Sequence, residues 1–453
     1  DKLKNKSSPT LKNHKLTLEM TSNPAWYALQ ALPYLMEYPY ECAEQTFSRY
    51  YANALGNHVV NSNPNIKTVF EKWKSNDALL SNLEKNQELK SIIIQETPWL
   101  RDALSETQQK KRIALLFDLQ KTKNQLAKTI DKLDQMQLKN GGFPWFKGNN
   151  YANRNITQHI TAGFGHLNTL GVQNTSKTEE KIIKKALQFL DTEIENDYAR
   201  LLVRAAKIKD KAKTKKKGIE DEKKFLARKH LNSRQLHYLY TRSFYKTMPV
   251  SKNSLAAVSY YKKQTAKYWK TNTLYNKGLT ALILHRENKT TLSKKIVASL
   301  KENSINSEEL GMYWKENKSS WYWYQSPIET QSLLIEVFAE IENNIQTIDN
   351  LKKWLLTNKQ TNRWKTTKAT TEAVYALLLQ GSNWLSIEDN LEITHGGQKL
   401  DPQTMANTKV EAGTGYFKTS WSADEITPEM ATITISKKDK GMAWGGWYWQ
   451  YFE

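Results

Sequence analysis

Apolar residues recur three and four positions apart in Trp26–Leu35, Ile113–Leu133, Ile182–Ile194, Leu274–Leu284, Leu333–Ile341 and Ala373–Leu379. That spacing lines one face of an α-helix, and Gly, Asn or Pro ends the segments as helix stops do. From about residue 24 to 380 the pattern predicts roughly a dozen helices joined by short polar turns. Three of them look alike. Thr157-Gln158-His159-Ile160-Thr161-Ala162, Glu329-Thr330-Gln331-Ser332-Leu333-Leu334 and Thr370-Thr371-Glu372-Ala373-Val374-Tyr375 each carry Thr near the start and then turn apolar. The last two follow aromatic stretches, Trp321-Tyr322-Trp323-Tyr324 and Trp364. This reads as a repeat of a loop and an inner helix, about 40 residues long. Repeated helix pairs stack into an open solenoid or close into a ring, and closure leaves no end to cap. The expected fold class is mainly α, an α/α toroid followed by a small β-sandwich portion.

The period changes from about residue 390. Leu391–Thr394, Tyr416–Trp421, Ala431–Ser436 and Trp444–Phe452 alternate or are β-branched and aromatic, with Gly396-Gly397, Gly413 and Pro428 between them. These are strand and turn signals. The expected domains are a polar, Lys-rich tail or linker at 1–14, the helical domain at 15–385, and part of a β-sandwich at 386–453. Asp1 at the start and the aromatic run Trp449-Gln450-Tyr451-Phe452 at the end read as a piece of a longer protein.

Charge changes the picture little. The chain carries 67 Lys and Arg against 46 Asp and Glu, a net +21, yet no nucleic-acid-binding signature accompanies the excess. No nucleic-acid partner is expected, and the densest basic run, Lys207 to Lys224, reads as an exposed helix or loop. Mean hydropathy is −0.71, and no apolar run is long enough for a transmembrane helix. Phosphate loops, zinc-protease motifs and nucleophile elbows are absent. His159 and His166 sit seven apart, but no third ligand with zinc spacing joins them, so neither cofactor nor metal is expected. A glycan- or isoprenoid-processing toroid would want paired carboxylates at the ring mouth, and acidic residues here are scattered.

The informative stretch is Tyr38-Pro39-Tyr40-Glu41-Cys42-Ala43-Glu44-Gln45-Thr46. Pro39 favours a turn, and Cys42 and Gln45 share a face of the helix that follows. A helix start lowers a thiol pKa, so the sulfur is expected to attack the Gln45 carboxamide and expel ammonia, leaving a thioester. Water must be kept from such a bond, and Tyr38, Tyr40 and Phe47 are the aromatic neighbours available for cover. The plain alternative is a lone, inert, buried thiol.

Pro39-Tyr40-Glu41-Cys42-Ala43-Glu44-Gln45 resembles the P-Y-G-C-G-E-Q thioester motif of the alpha-2-macroglobulin and complement family. Cys42, Glu44 and Gln45 match, while Glu41 and Ala43 replace glycines, as bacterial members allow. Asn140-Gly141-Gly142-Phe143-Pro144-Trp145-Phe146 resembles the Gly-Gly-Phe segment of the same domain, and Thr161-Ala162 follows it. Gly441-Met442-Ala443-Trp444-Gly445 and Tyr448-Trp449 resemble the next strand in bacterial alpha-2-macroglobulins.

The resemblance implies a toroid inserted between strands of a β-sandwich. It implies a non-enzymatic endopeptidase inhibitor: a protease cuts a bait segment outside this chain, the thioester is exposed, and the protease is tethered. Tyr151 stands near the position where some relatives carry a histidine, so direct attack by amines is implied, with Tyr151 available to pack over the bond. Glu44 is implied to be structural, and Tyr38, Tyr40 and His159 are supporting candidates. The implied partners are target proteases and the remaining domains of a full-length monomer. The implied location is extracytoplasmic, with lipid anchoring left open. The alternative is a non-covalent binding or scaffold module of the same fold in which no thioester forms.

Overall fold

The computed structural model describes residues 2–5, 9–21, 26–29, 31–62, 119–172, 176–319, 326–359, 363–379, 391–401, 405, 408–411, 416–437 and 443–453. The expected aromatic stretch at 321–324 and the turn at 413–415 lie outside these residues, as does the start of the predicted helix at 113. The chain divides into a unit of Leu32–His58 with Gln120–Leu379 and a unit that includes Asp1–Ala31 and Gln380–Glu453.

Twelve long helices stand among the described residues: α1 Ala43–Ser62, α2 Leu119–Met136, α3 Arg154–Thr169, α4 Lys177–Asp210, α5 Lys215–Leu226, α6 Ser233–Ser243, α7 Leu255–Tyr268, α8 Leu274–Arg286, α9 Thr290–Glu302, α10 Pro327–Val337, α11 Ile345–Thr357 and α12 Thr367–Leu378. In the helical unit, α3 packs on α6, α6 on α8, α8 on α10 and α10 on α12. Helix α1 fills the remaining gap. Its Phe47 meets Phe164 of α3 edge to face at 5.0 Å. Its Glu44 Oε2 accepts a hydrogen bond from Thr367 Oγ1 of α12 at 2.9 Å, and its Ser48 Oγ accepts one from Thr371 Oγ1 at 3.2 Å. Six inner helices therefore close a ring, with α9 and α11 backing α8 and α10 from outside. Burial on every side is what an inner helix needs: all residues of α10 from Ile328 to Val337 and all of α3 from Ile156 to Leu167 are buried.

The Thr-led repeat has a structural cause. Thr157 Oγ1 accepts from the backbone N–H of Phe143 at 2.8 Å, and Thr370 Oγ1 accepts from that of Trp364 at 3.0 Å. Each inner-helix hydroxyl thus satisfies a buried N–H of the aromatic loop before it. The buried tryptophans do a matching job on the outer helices. Trp314 Nε1 donates to Leu300 O of α9 at 2.7 Å and Trp364 Nε1 to Leu355 O of α11 at 2.9 Å, supplying partners to carbonyls that a helix end leaves unpaired.

Among its described residues the second unit is mainly strand: β1 Lys12–Thr21, β2 Leu391–His395, β3 Gln398–Leu400, β4 Lys409–Glu411, β5 Tyr416–Ser422, β6 Ile433–Lys437 and β7 Trp444–Phe452. One antiparallel sheet has the order β4-β5-β1-β7 and another the order β3-β2-β6. Leu18 and Met20 of β1, Phe417 of β5 and Ile393 of β2 share a core cluster across the two sheets. Burying each such side chain stabilises by about 1.5–3 kcal/mol.

Strand β1 corrects the expected boundaries at 1–14 and 15–385. Residues 12–21 are sheet, not tail or helical domain, with Leu18 opposite Thr419 on one side and Trp447 on the other. Leu3, also inside the expected tail, is buried against Leu16 and Ile426. The sheet therefore takes its middle strand from before the helices and its neighbours from after them.

Candidate functional site

Cys42 is the residue just before α1. Its carbonyl accepts the first helical bond, from Thr46 N at 2.9 Å, and its own N–H donates to Gln45 Oε1 at 3.2 Å. The Gln45 carboxamide thus folds back over Cys42, the reach that a glutamine at the third helical position makes in a capping box. Cys42 is buried at 7 % exposure, and Gln45 is half-buried. Burial pushes the Cys42 thiol up, the Gln45 backbone N–H pulls it down, and the Glu44 carboxylate adds to the rise. The expectation of a thiol made acidic by the helix start is therefore corrected, because desolvation of the thiolate outweighs the helix N–H groups.

The turn before α1 is held from several directions. Ala43 N, an orphan donor of the first helical turn, is satisfied by Trp145 O at 3.1 Å. Trp145 belongs to the Gly-Gly-Phe loop, so that loop physically clasps the cysteine turn. Gly141 turns the loop with φ +89°, and a side chain there would meet the Lys185 carbonyl at 2.1 Å. Glu41 accepts from Arg49 Nη1 at 3.0 Å and from Lys132 Nζ of α2 at 2.5 Å. Those hydrogen bonds, Lys132's first, hold the Glu41 carboxyl below its ordinary value. Arg49 also donates to the Tyr38 carbonyl. Glu44 is buried and serves the ring, accepting from Ser48 Oγ at 2.8 Å as well as from Thr367.

The aromatic candidates part company. Tyr38 is half-buried and meets Tyr34 and Tyr40 edge to face. Tyr40 is 68 % exposed and Tyr151 88 % exposed, so neither covers Cys42. His159 lies inside the ring, its Nδ1 3.4 Å from Glu372 Oε1, beyond the Phe47 ring that it meets at 6.0 Å. Sequence reasoning missed the Trp145 carbonyl, the Glu41 bridge and Thr367. Only the first carried a signal, the Gly-Gly-Phe loop itself.

Titratable side chains line the ring's centre. His166 Nε2 meets Tyr240 Oη at 2.7 Å, Tyr240 donates to Glu336 Oε2 at 2.6 Å, and Tyr375 donates to Glu336 Oε1 at 3.0 Å. His166 also stacks on Tyr375 at 3.8 Å. A cavity of about 20 Å³ is lined here by His166, His237, Tyr240, Ser332, Lys368 and Glu372. That is room for a water or two and far less than the several hundred Å³ of a small-molecule pocket. No group of three or more His, Cys, Asp or Glu suited to a metal occurs among the described residues.

This centre makes stability depend on pH. Burial lowers His237 to about 3, helped by the Lys368 charge, and burial likewise lowers His166. Each histidine takes up a proton more readily in the unfolded chain. Their contribution is whole above about 6.5 and is lost as pH falls below that value, at about 1.4 kcal/mol per unit for each group. Burial would raise Glu372, but the His159 hydrogen bond and the His166 and Lys368 charges outweigh it and hold the carboxyl well below its usual range. Its contribution is lost as pH falls through about 4.5. Glu179 acts the other way: burial raises it to about 7 against the Tyr50 hydrogen bond, so it costs stability as pH rises from about 4.5 to 7. Urea-unfolding midpoints are expected to fall gently from pH 7 to 4.5 and steeply below, and His237→Gln should flatten the decline.

No protein-family model matches the chain, and no curated protein matches it. Its structure is similar to solved bacterial alpha-2-macroglobulins. The native Escherichia coli protein from domain MG7 to the C-terminus shares 14 % identity at a TM-score of 0.45, over 96 % of this chain and 52 % of that one. The cryo-EM structure of the native E. coli protein shares 13 % at 0.46, over 97 % and 21 %. The Salmonella protein reacted with methylamine shares 14 % at 0.43, over 97 % and 22 %. The chain thus spans about half or less of the length of these structures.

Proposed function

We propose that Cys42 and Gln45 form an internal thioester, and that the chain is the covalent-capture part of a protease trap working outside the cytoplasm. The observation that carries this is the Gln45 carboxamide held on Cys42 by the 3.2 Å bond from the Cys42 N–H. In the forming step, the Cys42 Sγ attacks Gln45 Cδ, the S–C bond forms, the C–N bond breaks, and ammonia leaves with the thiol proton. In the using step, a target amine attacks Gln45 Cδ, an amide forms, and the thiol is freed. Each chain reacts once and is consumed, so it is not a catalyst.

The surroundings bear on both steps. A buried sulfur and the Trp145 clasp restrict water at the bond, while the half-buried Gln45 leaves its carbonyl within reach of an incoming amine. The raised thiol pKa works against the forming attack, because the thiolate is the nucleophile, so the held geometry and not thiol acidity supports the reading. The Cys42–Gln45 hydrogen bond also fits the scaffold reading, in which Gln45 is simply a helix cap. Alkylation separates the two readings. In the trap, iodoacetamide leaves native protein unlabelled until methylamine is added, and then labels Cys42. Labelling that methylamine does not change would leave the scaffold reading standing.

A further inference from the structure

The hairpin of α4 and α5 is not explained by the ring. Helix α4 runs 34 residues, against 14 for α7 and 13 each for α9 and α11. Beyond Leu201 its only buried residue is Ala205, and in α5 only Gly218 is buried. The hairpin is nevertheless closely built. A side chain at Gly218 would meet the Lys209 carbonyl at 2.6 Å, so glycine is what lets the two helices approach. The far end of α5 is tied back to the ring, Tyr260 Oη of α7 donating to Leu226 O at 2.7 Å.

This prong concentrates charge. Nine lysines stand against four carboxylates between Lys207 and Lys224, a net +5. Lys209 pairs with Glu222 at 3.4 Å. The other eight, Lys207, Lys211, Lys213, Lys215, Lys216, Lys217, Lys223 and Lys224, are exposed and have no ion-pair partner among the described residues. Leu202 and Val203, 39 % and 56 % exposed, sit beside them.

We infer that this hairpin docks on an anionic phospholipid surface. The chemistry selects that partner. From Lys207 to Lys224 the cations are lysine ammonium groups, compact point charges without the arginine fork that reads a phosphate bidentately, and exposed Arg204 beside Val203 is the one guanidinium from Leu202 to Lys224. No aromatic side chain occurs between Leu202 and Lys224, and Phe225 after them is half-buried against His230, so the lysine run carries no row of aromatic faces for stacking bases. Four to eight clustered lysines beside exposed aliphatic residues suit a headgroup layer with apolar depth beneath it. The surface does not depend on the thioester, and its failure would leave the proposed capture chemistry untouched.

Vesicle co-sedimentation of the 453-residue chain tests it, with phosphatidylcholine vesicles made with and without phosphatidylglycerol. Binding is expected only with phosphatidylglycerol and is expected to be released by salt. Lys216→Glu with Lys217→Glu should weaken it about tenfold or more, while the same reversal at exposed Lys294 and Lys295 of α9 should change it less than about twofold. Unfolding midpoints of both pairs are measured alongside. If the hairpin pair melts lower, Lys216→Gln with Lys217→Gln replaces it in the comparison. Three results would overturn the inference: no binding to anionic vesicles, equal weakening by both pairs, or tighter and more salt-resistant retention of a DNA duplex than of the vesicles.

Discussion

Cys42→Ser is expected to abolish covalent incorporation of a labelled amine at Gln45, from near-complete labelling in the parent to none. Serine keeps the size and the capping geometry, and an oxygen at this helix start still accepts from the N–H groups of Glu44 and Gln45. The ring core around Phe47, Phe164 and Tyr50 is untouched, so the unfolding midpoint should move by no more than about 1 kcal/mol of stability. The loss would then be chemical and not structural. Labelled-amine mapping by peptide mass, run beside urea unfolding, checks both halves. A variant that loses several kcal/mol instead would place Cys42 in the core and not in the chemistry.

The largest structural effect is expected at Asp191. This buried carboxylate accepts from Arg242 Nε at 3.0 Å and Nη2 at 2.8 Å, from Tyr238 Oη at 2.7 Å and from Ser251 N at 3.0 Å. It therefore joins outer helix α4 to inner helix α6 and to the loop after it. Asp191→Ala leaves the Arg242 guanidinium buried with only the Met248 and Pro249 carbonyls as acceptors. Breaking such a pair from one side costs about 3–5 kcal/mol. Replacing both members, Asp191→Leu with Arg242→Met, should recover most of that loss, because no unpaired buried charge remains. Urea unfolding of the single and double variants checks the pair. A double variant no better than the single one would show that the tyrosine and backbone bonds, not the charge, hold the junction.

Much of the ring was legible because its cause is local. The three Thr-led segments are inner helices α3, α10 and α12, and in α3 and α12 the hydroxyl answers a loop N–H 14 and 6 residues back. Closure was expected from the repeat and the resemblance, but the contacts that close the ring were not legible. Glu44 with Thr367 and Ser48 with Thr371 are each 323 residues apart, and no periodicity reports such a distance. Strand β1 could have been read. Leu16, Leu18 and Met20 alternate with polar residues and are all buried, but the expected boundary after residue 14 split the strand between a tail and the helical domain.

At the site, the spacing of Cys42 and Gln45 suggested a shared face and the structure gives them a shared hydrogen bond. The aromatic cover was over-read, since the identity of Tyr40 and Tyr151 carries no information about which way the turn faces. The thiol was misjudged for a physical reason: a helix start and a buried environment act in opposite directions, and only the fold shows which is larger. The partners of the α3 histidines, Glu372 for both and Tyr240 for His166, come from helices farther along the chain.

One chemical claim underlies this account, that the side chains of residues 42 and 45 are joined by an acyl–sulfur bond. Intact mass of protein purified without amines tests it most directly. The expected mass lies below that of the unmodified sequence by one molecule of ammonia, and after methylamine treatment it rises by the full mass of methylamine as a thiol appears. A mass equal to the unmodified sequence, unchanged by methylamine and with Cys42 free to alkylate throughout, would contradict the account.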